Sequence, residues 1–138
     1  MKYSQFEKIR KTILSKHKND DNFYIKGTNN VLISCPHAVS QTRLGKLKVA
    51  EIGTLSFGYF LAHQTGSHYI VKTKNNFDDA NFDVVSVYRE NMKKIIKEND
   101  IKYIFDGGVK PENAQKLIDC GVDILVICSY FYNSKDKL

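Results

Sequence analysis

The sequence of 138 residues lacks the features that define several large classes of protein. No apolar run approaches the roughly 18 residues that a membrane-spanning helix needs, so we expect no membrane association. The first residues carry charges throughout, without the apolar stretch of a signal peptide. The three cysteines show no CxxC pairing, and an odd number without a secretion signal predicts reduced thiols in a cytoplasmic protein.

Basic residues outnumber acidic ones, 21 to 15, but they are not gathered into a stripe. The lysines fall singly or in pairs, mostly on the faces of predicted helices, and no aromatic side chains are interleaved with them for base stacking. The charge pattern therefore predicts a solvated basic surface and no nucleic-acid binding. The content of 42% hydrophobic and 26% charged residues is typical of one globular domain, which we expect to span 1–138.

Apolar segments of strand length alternate with longer segments of helical period along most of the chain. This alternation predicts an α/β protein, a single three-layer α/β/α sandwich with a mainly parallel sheet of four to six strands. Helices are predicted over 4–17, 46–65, 83–99 and 111–119, and strands over 23–26, 31–35, 68–72, 101–105 and 123–128.

Polar residues follow several of these predicted strands. His37 ends the strand that begins near Val31, and Asp106 ends a later one. Since the carboxyl ends of parallel strands share one edge, we expect His37, the 73–81 loop, Asp106 and Ser129 to line the same rim. Glu51 is predicted to lie inside the helix after His37. The acidic residues of the 73–81 loop are predicted to cap the helix that follows.

An ordered set of short motifs runs from Val31 to Phe105. The set contains Pro36-His37, Arg43-x-Gly45, Glu51, Thr54, Asp79-Ala80-Asn81, Tyr88-Arg89 and a strand ending in Asp106. In these motifs, residues 31–105 resemble the N-formylglutamate amidohydrolase family. The resemblance implies a zinc-dependent hydrolase of amide bonds in small acidic substrates. It also implies that His37 and Glu51 bind the metal and that Arg43 pairs with a substrate carboxylate.

The sequence departs from that family at one ligand position. Where the family has Asp-x-His-Gly, this chain has Asp106-Gly107-Gly108, and no histidine follows. Catalytic zinc sites usually have three protein ligands. We therefore expect weak zinc binding or none, and little or no turnover.

The last third of the chain carries a different pattern. It reads Phe105-Asp106-Gly107-Gly108-Val109-Lys110-Pro111, followed by Gly121-Val122-Asp123 and then Ser129. In this pattern residues 105–137 resemble the C-terminal βαβ unit of ribulose-phosphate 3-epimerase, a TIM barrel. The resemblance implies that Asp106 is a catalytic acid/base and that Gly107, Gly108 and Ser129 bind phosphate. Cys128 stands where that family has a second glycine, and the other strands of a barrel are missing.

Two resemblances in one chain predict a hybrid joined near Phe105-Asp106, with an amidohydrolase-like segment over 1–105 and a barrel-derived segment over 106–138. Three functions stay open: an impaired amidohydrolase, a phosphate or sugar-phosphate binding protein, and a chimeric fold without activity. The first two predict a small anionic molecule as ligand. An edge strand left unpaired in the shortened sheet would favour a homodimer.

Overall fold

The computed structural model describes residues 3–102, 104–106 and 109–126 of the chain. The chain divides into two compact units, Met1–Asn99 and Asp100–Leu138. The N-terminal unit contains α1 (Tyr3–Lys16), β1 (Asn22–Ile25), β2 (Leu32–Cys35), β3 (Gln41–Arg43), β4 (Lys46–Lys48), α2 (Thr54–Thr65), β5 (His68–Lys72) and α3 (Val87–Glu98). The C-terminal unit contains β6 (Ile104–Asp106), α4 (Pro111–Asp119) and β7 (Ile124–Val126). The predicted α/β class is thus confirmed.

Strand β5 is the centre of the N-terminal unit. All five of its residues are buried, and it pairs antiparallel with β1 on one side and parallel with β2 on the other. Tyr69 in this strand is fully buried, and its hydroxyl donates to the carbonyl oxygen of Leu55 in α2 at 2.8 Å. Helices α1 and α2 pack together, and their apolar side chains join those of the sheet in one core.

Helix α2 approaches the sheet closely at Gly58. A Cβ atom at this position would lie 2.5 Å from the sulfur of Cys35 and 3.1 Å from the ring of Tyr69. Neither atom belongs to a flexible chain end, because both side chains are buried. The absence of a side chain at Gly58 therefore sets the spacing between α2 and the end of β2, where His37 follows.

The pairing of the described strands corrects the prediction of a single, mainly parallel sheet of four to six strands. They form a three-stranded mixed sheet in the order β1-β5-β2, a separate β3-β4 hairpin and a separate parallel β6-β7 pair. β1 and β2 run in opposite directions along β5, because the turn-rich segment 26–31 reverses the chain between them. The predicted three-layer arrangement stays a prediction.

The predicted helix over 46–65 is wrong in its first third. Leu44 and Gly45 both adopt positive φ angles, 50° and 74°, and this left-handed turn pairs Arg43 with Lys46 in an antiparallel hairpin. The helix starts only at Thr54, after Gly53 with φ 104°. Glu51 consequently lies in the loop before α2. The prediction that it lies inside a helix is wrong.

The predicted helix over 83–99 begins four residues later than expected, at Val87. Asp83 is held in a turn instead, because its amide donates to Asp79 O and its carboxylate accepts from Asp79 N. Val84 is therefore 84% exposed, whereas Tyr88 and Ile95 in α3 are buried.

The C-terminal unit has the predicted strand–helix–strand order in its described residues. Ile104 pairs with Ile124 and Asp106 with Val126 in the parallel ladder. Pro111 occupies the first turn of α4, where its missing N–H costs nothing, and Gly121 follows the helix with φ 90°. None of the helices among the described residues is long and apolar enough to cross a membrane.

Candidate functional site

Three loops of the N-terminal unit bring their polar residues together beyond the end of β2. His37 directly follows that strand, Glu51 precedes α2, and Asp79 lies between β5 and α3. The backbone fixes the first two, because the amide of Glu51 donates to the carbonyl oxygen of His37 at 2.9 Å. The sequence predicted that His37 and the 73–81 loop share a rim, and the structure brings them into contact.

The imidazole of His37 lies between two carboxylates. Its Nδ1 is 3.2 Å from Glu51 Oε1, and its Nε2 is 3.1 Å from Asp79 Oδ1. The side chain of His37 is 9% exposed, that of Asp79 is fully buried, and that of Glu51 is 56% exposed. The histidine thus connects a buried carboxylate to one that faces solvent.

Asp79 is an ionised carboxylate that accepts hydrogen bonds on both oxygens. Oδ1 accepts from His37 and from the amide of Asn81, and Oδ2 accepts from Nε and Nη2 of Arg43 at 2.8 and 2.7 Å. Burial alone would raise the pKa of Asp79. The hydrogen bonds from Asn81, His37 and Arg43 outweigh that effect and lower the pKa of Asp79 to about 2.

The ionised state of Asp79 fixes one proton of His37. Because the carboxylate can only accept, Nε2 of His37 must carry the hydrogen between them. The other nitrogen, Nδ1, faces a second carboxylate, Glu51. Nδ1 is 3.2 Å from Oε1 of Glu51. Two acceptors at this distance are stabilised by a nearby positive charge.

Arg43 binds other residues of the same chain in this structure. Its fork binds Asp79, and its guanidinium carbon lies 4.9 Å from the centre of the Phe82 ring. A cation over an aromatic face gains a further attraction of about 0.5–2 kcal/mol. The pairing of Arg43 with a substrate carboxylate stays a prediction, since the guanidinium would first have to give up part of this arrangement.

Lys48 is a member of this cluster that the sequence reasoning did not single out. Its Nζ lies 3.3 Å from Nδ1 and 3.4 Å from Nε2 of His37, and 3.8 Å from Asp79 Oδ2. The only available signal was the two-residue Leu44-Gly45 turn, which places Lys48 opposite Gln41 in the hairpin. We refer below to His37, Arg43, Lys48, Glu51 and Asp79 as the His37 cluster.

A second buried ion pair holds the loop that carries Asp79. Lys72, fully buried at the end of β5, donates to the carboxylate of Asp78 and to Gln41 Oε1, the latter at 3.3 Å. Burial would raise the pKa of Asp78, but the hydrogen bond and charge of Lys72 lower it. Gln41 also accepts from the amide of Ala80 at 2.8 Å. Asp78 and Asp79 thus anchor the loop. The prediction that they cap the helix that follows is wrong, because Ser86 precedes the first residue of α3.

A cavity of about 500 Å³ opens beside His37. Ile33, Phe57 and Leu61 contribute apolar walls, and Ser34, His37 and Glu51 contribute polar groups. Pockets of 300–1,000 Å³ with a few converging polar groups are typical of small-molecule sites. The geometry therefore offers a ligand direct access to the Nδ1 side of His37.

The residues of this site fit a zinc ion only in part. Two ligands bound at about 2.0–2.1 Å in a tetrahedral arrangement lie roughly 3.3 Å apart, close to the 3.2 Å between His37 Nδ1 and Glu51 Oε1. The bond from Nε2 to Asp79 also matches the outer support that metal-binding histidines receive. However, no group of three or more histidine, cysteine or acidic residues that suits a metal occurs in the described part of the chain.

Cys35, which lines the cavity, does not complete the ligand set. Its thiol donates to the carbonyl oxygen of Thr54 at 3.3 Å. Burial raises its pKa to about 11, so the thiolate that zinc requires is disfavoured. The donor set therefore does not make a complete zinc site, and we derive no chemical step through a metal.

The site residues predicted in the C-terminal unit are described only at Asp106, whose backbone ends β6. Gly107, Gly108 and Ser129 lie outside the described residues. The described start of α4 carries a hydrogen bond from the amide of Lys110 to the side chain of Asn113 at 2.8 Å. Lys102 pairs with Asp123 at 3.5 Å within the same unit.

Two comparisons with known proteins match part of the chain. The model of the ribulose-phosphate 3 epimerase family matches residues 72–132. Thiamine-phosphate synthase of Methanobrevibacter smithii is 35% identical over 71 residues, which are 51% of this chain and 31% of that protein. The chain thus spans about a third of the length of this curated relative. No solved structure matches.

These comparisons bear unequally on the two resemblances. They support the similarity of residues 72–132 to the epimerase family. The comparisons give no support to the resemblance to N-formylglutamate amidohydrolases or to a chimera. The family model does not extend to residues before 72.

Proposed function

We propose that the N-terminal unit binds a small acidic molecule in the cavity beside His37 and is an impaired hydrolase of the N-formylglutamate type. The observation that carries this proposal is the position of His37 between Asp79 and Glu51, at 3.1 and 3.2 Å, at the wall of a cavity. Asp79 orients the imidazole on one side, and the exposed side chain of Glu51 can move away to free the other.

The residues of the cluster suit a proton transfer in that cavity. A water molecule between Nδ1 of His37 and a substrate carbonyl group would give its proton to the imidazole. Asp79, ionised and buried, would stabilise the imidazolium that forms, as the carboxylate of a catalytic triad does. The side chain of Lys48, 35% exposed, lies against His37 and would pair with an acidic group of the ligand.

Little or no turnover is expected, because the donor set for a Lewis acid is incomplete. Stabilisation of the oxyanion typically contributes 10²–10³ to the rate of acyl transfer, and His37 alone does not supply it. The cavity and its charges therefore favour binding of the ligand. Catalysis would need a further electrophilic group.

Isothermal titration with N-formyl-L-glutamate tests the binding. We expect a dissociation constant in the millimolar range or tighter, weakened at least tenfold by His37→Gln. His63→Gln is the matched control, since His63 is exposed on α2 and is not part of the His37 cluster. Formate release is followed in the same samples. Equal affinities of the native protein and His37→Gln, with both folded by circular dichroism, would contradict the proposal.

A second candidate function is favoured by the comparisons. We propose that the C-terminal unit binds a phosphate ester. Gly107 and Gly108, which follow β6, and Ser129, which follows β7, would bind the phosphate. Asp106 would act as an acid/base. Both matched names, ribulose-phosphate 3 epimerase and thiamine-phosphate synthase, refer to phosphate esters. A glycine loop that leads into a helix N-terminus suits a phosphate, because backbone amides and the helix dipole both favour negative charge.

Titration with ribose 5-phosphate tests this second candidate. Gly108→Glu places a carboxylate in the proposed loop and should abolish binding. Gln115→Glu adds the same charge at an exposed position of α4 and should change affinity less than twofold. If both variants bind as the native protein does, or if the native protein does not bind, the C-terminal unit has only the ancestry of a phosphate site. Failure of both candidates would favour a chimeric fold without activity.

A further inference from the structure

We propose that Lys48 supplies the positive charge of the His37 cluster from within the chain, so that the site excludes divalent metal ions and binds its acidic ligand without them. This inference rests on the proposed function of the same site. It explains why a histidine and a carboxylate with the spacing of two zinc ligands lie beside an ammonium group.

The ammonium disfavours a bound metal by charge repulsion. Nζ of Lys48 is 3.3 Å from Nδ1 of His37, the nitrogen that faces Glu51. A metal ion bound to Nδ1 at about 2.1 Å would therefore lie within about 5.5 Å of Nζ. The other nitrogen, Nε2, is not available to a metal, because its hydrogen is donated to Asp79.

The charges of the cluster are balanced without a metal. Asp79 and Glu51 contribute two negative charges, and Arg43 and Lys48 contribute two positive ones. Arg43 neutralises Asp79 directly through contacts of 2.7 and 2.8 Å. A divalent ion would leave the cluster with an excess of two positive charges in a partly buried place, where charges of the same sign are poorly screened.

Lys48 is held at this place by the register of the hairpin. It pairs with Gln41, which is 1% exposed and is fixed by Lys72 and by the amide of Ala80. The backbone of Lys48 is thereby tied to the same buried network that holds the 73–81 loop. The register thus fixes the backbone position from which the ammonium of Lys48 reaches His37.

The ligand class follows from the same charges. The side chain of Lys48 is 35% exposed, so its ammonium can bind one further acceptor. A carboxylate of the ligand can take this place and receive a charge-assisted hydrogen bond. We therefore expect affinity for N-formyl-L-glutamate to be unchanged by the chelator EDTA and lowered at least tenfold by Lys48→Met.

Titration of the protein with zinc ions alone tests the exclusion. The native protein should bind zinc through His37 with a dissociation constant no tighter than 100 μM. Lys48→Met should bind it at least tenfold more tightly, and the double variant Lys48→Met/His37→Gln should lose this gain. Lys46→Met is the matched control, because Lys46 is exposed on the same hairpin, and it should behave as the native protein does.

Two results would overturn the inference. One is zinc binding by the native protein at low micromolar concentration that His37→Gln abolishes. The other is a folded Lys48→Met protein with the zinc affinity of the native one. The zinc titrations need no organic ligand, so they separate this inference from the proposed function. If zinc binding appears in Lys48→Met but N-formyl-L-glutamate binds to neither protein, the exclusion holds and the proposed function fails.

Discussion

The two units of this protein differ in how much of their described surface they bury. In the N-terminal unit every residue of β5 is buried, and α2 contributes four buried residues. In the C-terminal unit α4 has no buried residue, and Ile118 and Ile124 are 50% and 47% exposed. A cluster of charges needs a rigid surrounding to hold its geometry. Ile101, Val109 and Val122 are buried in the C-terminal unit, so the contrast among the described residues lies in α4, which buries none of its residues.

The largest expected effect is the loss of the central tyrosine of the N-terminal unit. Tyr69→Ala removes a fully buried ring that contacts Phe23 and Tyr59, and it leaves the carbonyl oxygen of Leu55 without its donor. We expect a decrease of about 3–5 kcal/mol in the free energy of unfolding. Ile118→Ala in α4 should cost less than about 1 kcal/mol, because half of the side chain is already exposed.

Urea unfolding, followed by tyrosine fluorescence and by circular dichroism, measures both variants. A loss for Ile118→Ala as large as that for Tyr69→Ala would break the comparison, since it would mean that the C-terminal unit has a core of its own that governs stability. Separate unfolding transitions in the two variants would strengthen the contrast between the two units.

The next effect concerns the buried ion pair that anchors the Asp79 loop. Lys72→Met removes a fully buried cation and leaves the carboxylate of Asp78, 13% exposed, without its partner. We expect a loss of about 3 kcal/mol, at the lower end for a broken buried pair, because water can reach Asp78. Lys74→Met is the matched control: its pair with Asp21 is exposed and should contribute less than about 1 kcal/mol.

Thermal unfolding of the two lysine variants tests this difference. The double variant Lys72→Met/Asp78→Leu should recover part of the stability, because no charge is then left buried without a partner. If Lys72→Met and Lys74→Met lose equal stability, the buried Lys72–Asp78 pair contributes no more to stability than an exposed ion pair does.

The sequence could predict the elements whose pattern is local. The apolar runs of β2 and β5, the helix opened by Pro111, and the polar residue at the end of β2 all lie where the pattern indicated. The β3-β4 hairpin could not be predicted in this way. Its lysine and leucine alternation also suits a helix, and only the positive φ angles at Leu44 and Gly45 decide between the two.

The sequence pointed to His37, Glu51, Arg43 and the 73–81 loop, but not to the contacts among them or to Lys48. His37 follows a strand, which is a local signal, whereas Asp79 reaches it from 42 residues away through a loop held by Lys72. Lys48 and Arg43 enter the cluster only because the hairpin folds back over this loop. Long-range contacts of this kind depend on how loops pack, and single-sequence periodicity carries no information about that.

The ionised Asp79 predicts how the stability of the N-terminal unit depends on pH. Its pKa is lowered to about 2 from 3.8, so the ionised form stabilises the fold. This contribution is complete above pH 3.8 and is lost as the pH falls through 2. It amounts to about 2 kcal/mol, since each pKa unit corresponds to about 1.4 kcal/mol.

Urea unfolding at pH 6 and at pH 2.5 measures this dependence. Asp79→Asn should be less stable than the native protein at pH 6, and its stability should fall less between the two pH values. Asp20→Asn is the control with an exposed carboxylate. An identical acid loss for Asp79→Asn and the native protein would show that other carboxylates govern the acid response.

The smallest effect is expected in the C-terminal unit, at the end of α4. Gly121 adopts φ 90°, and no atom lies within 4 Å of the place where its Cβ would be, so Gly121→Ala introduces backbone strain without a clash. We expect a cost of about 1 kcal/mol. Hydrogen exchange of the amides in α4 should become faster while that of β5 stays unchanged, since β5 belongs to the other unit. Gln115→Ala, an exposed change in the same helix, should leave both rates as they are. Faster exchange in β5 after Gly121→Ala would mean that the two units unfold together, and the contrast between them would then concern burial alone and not independent stability.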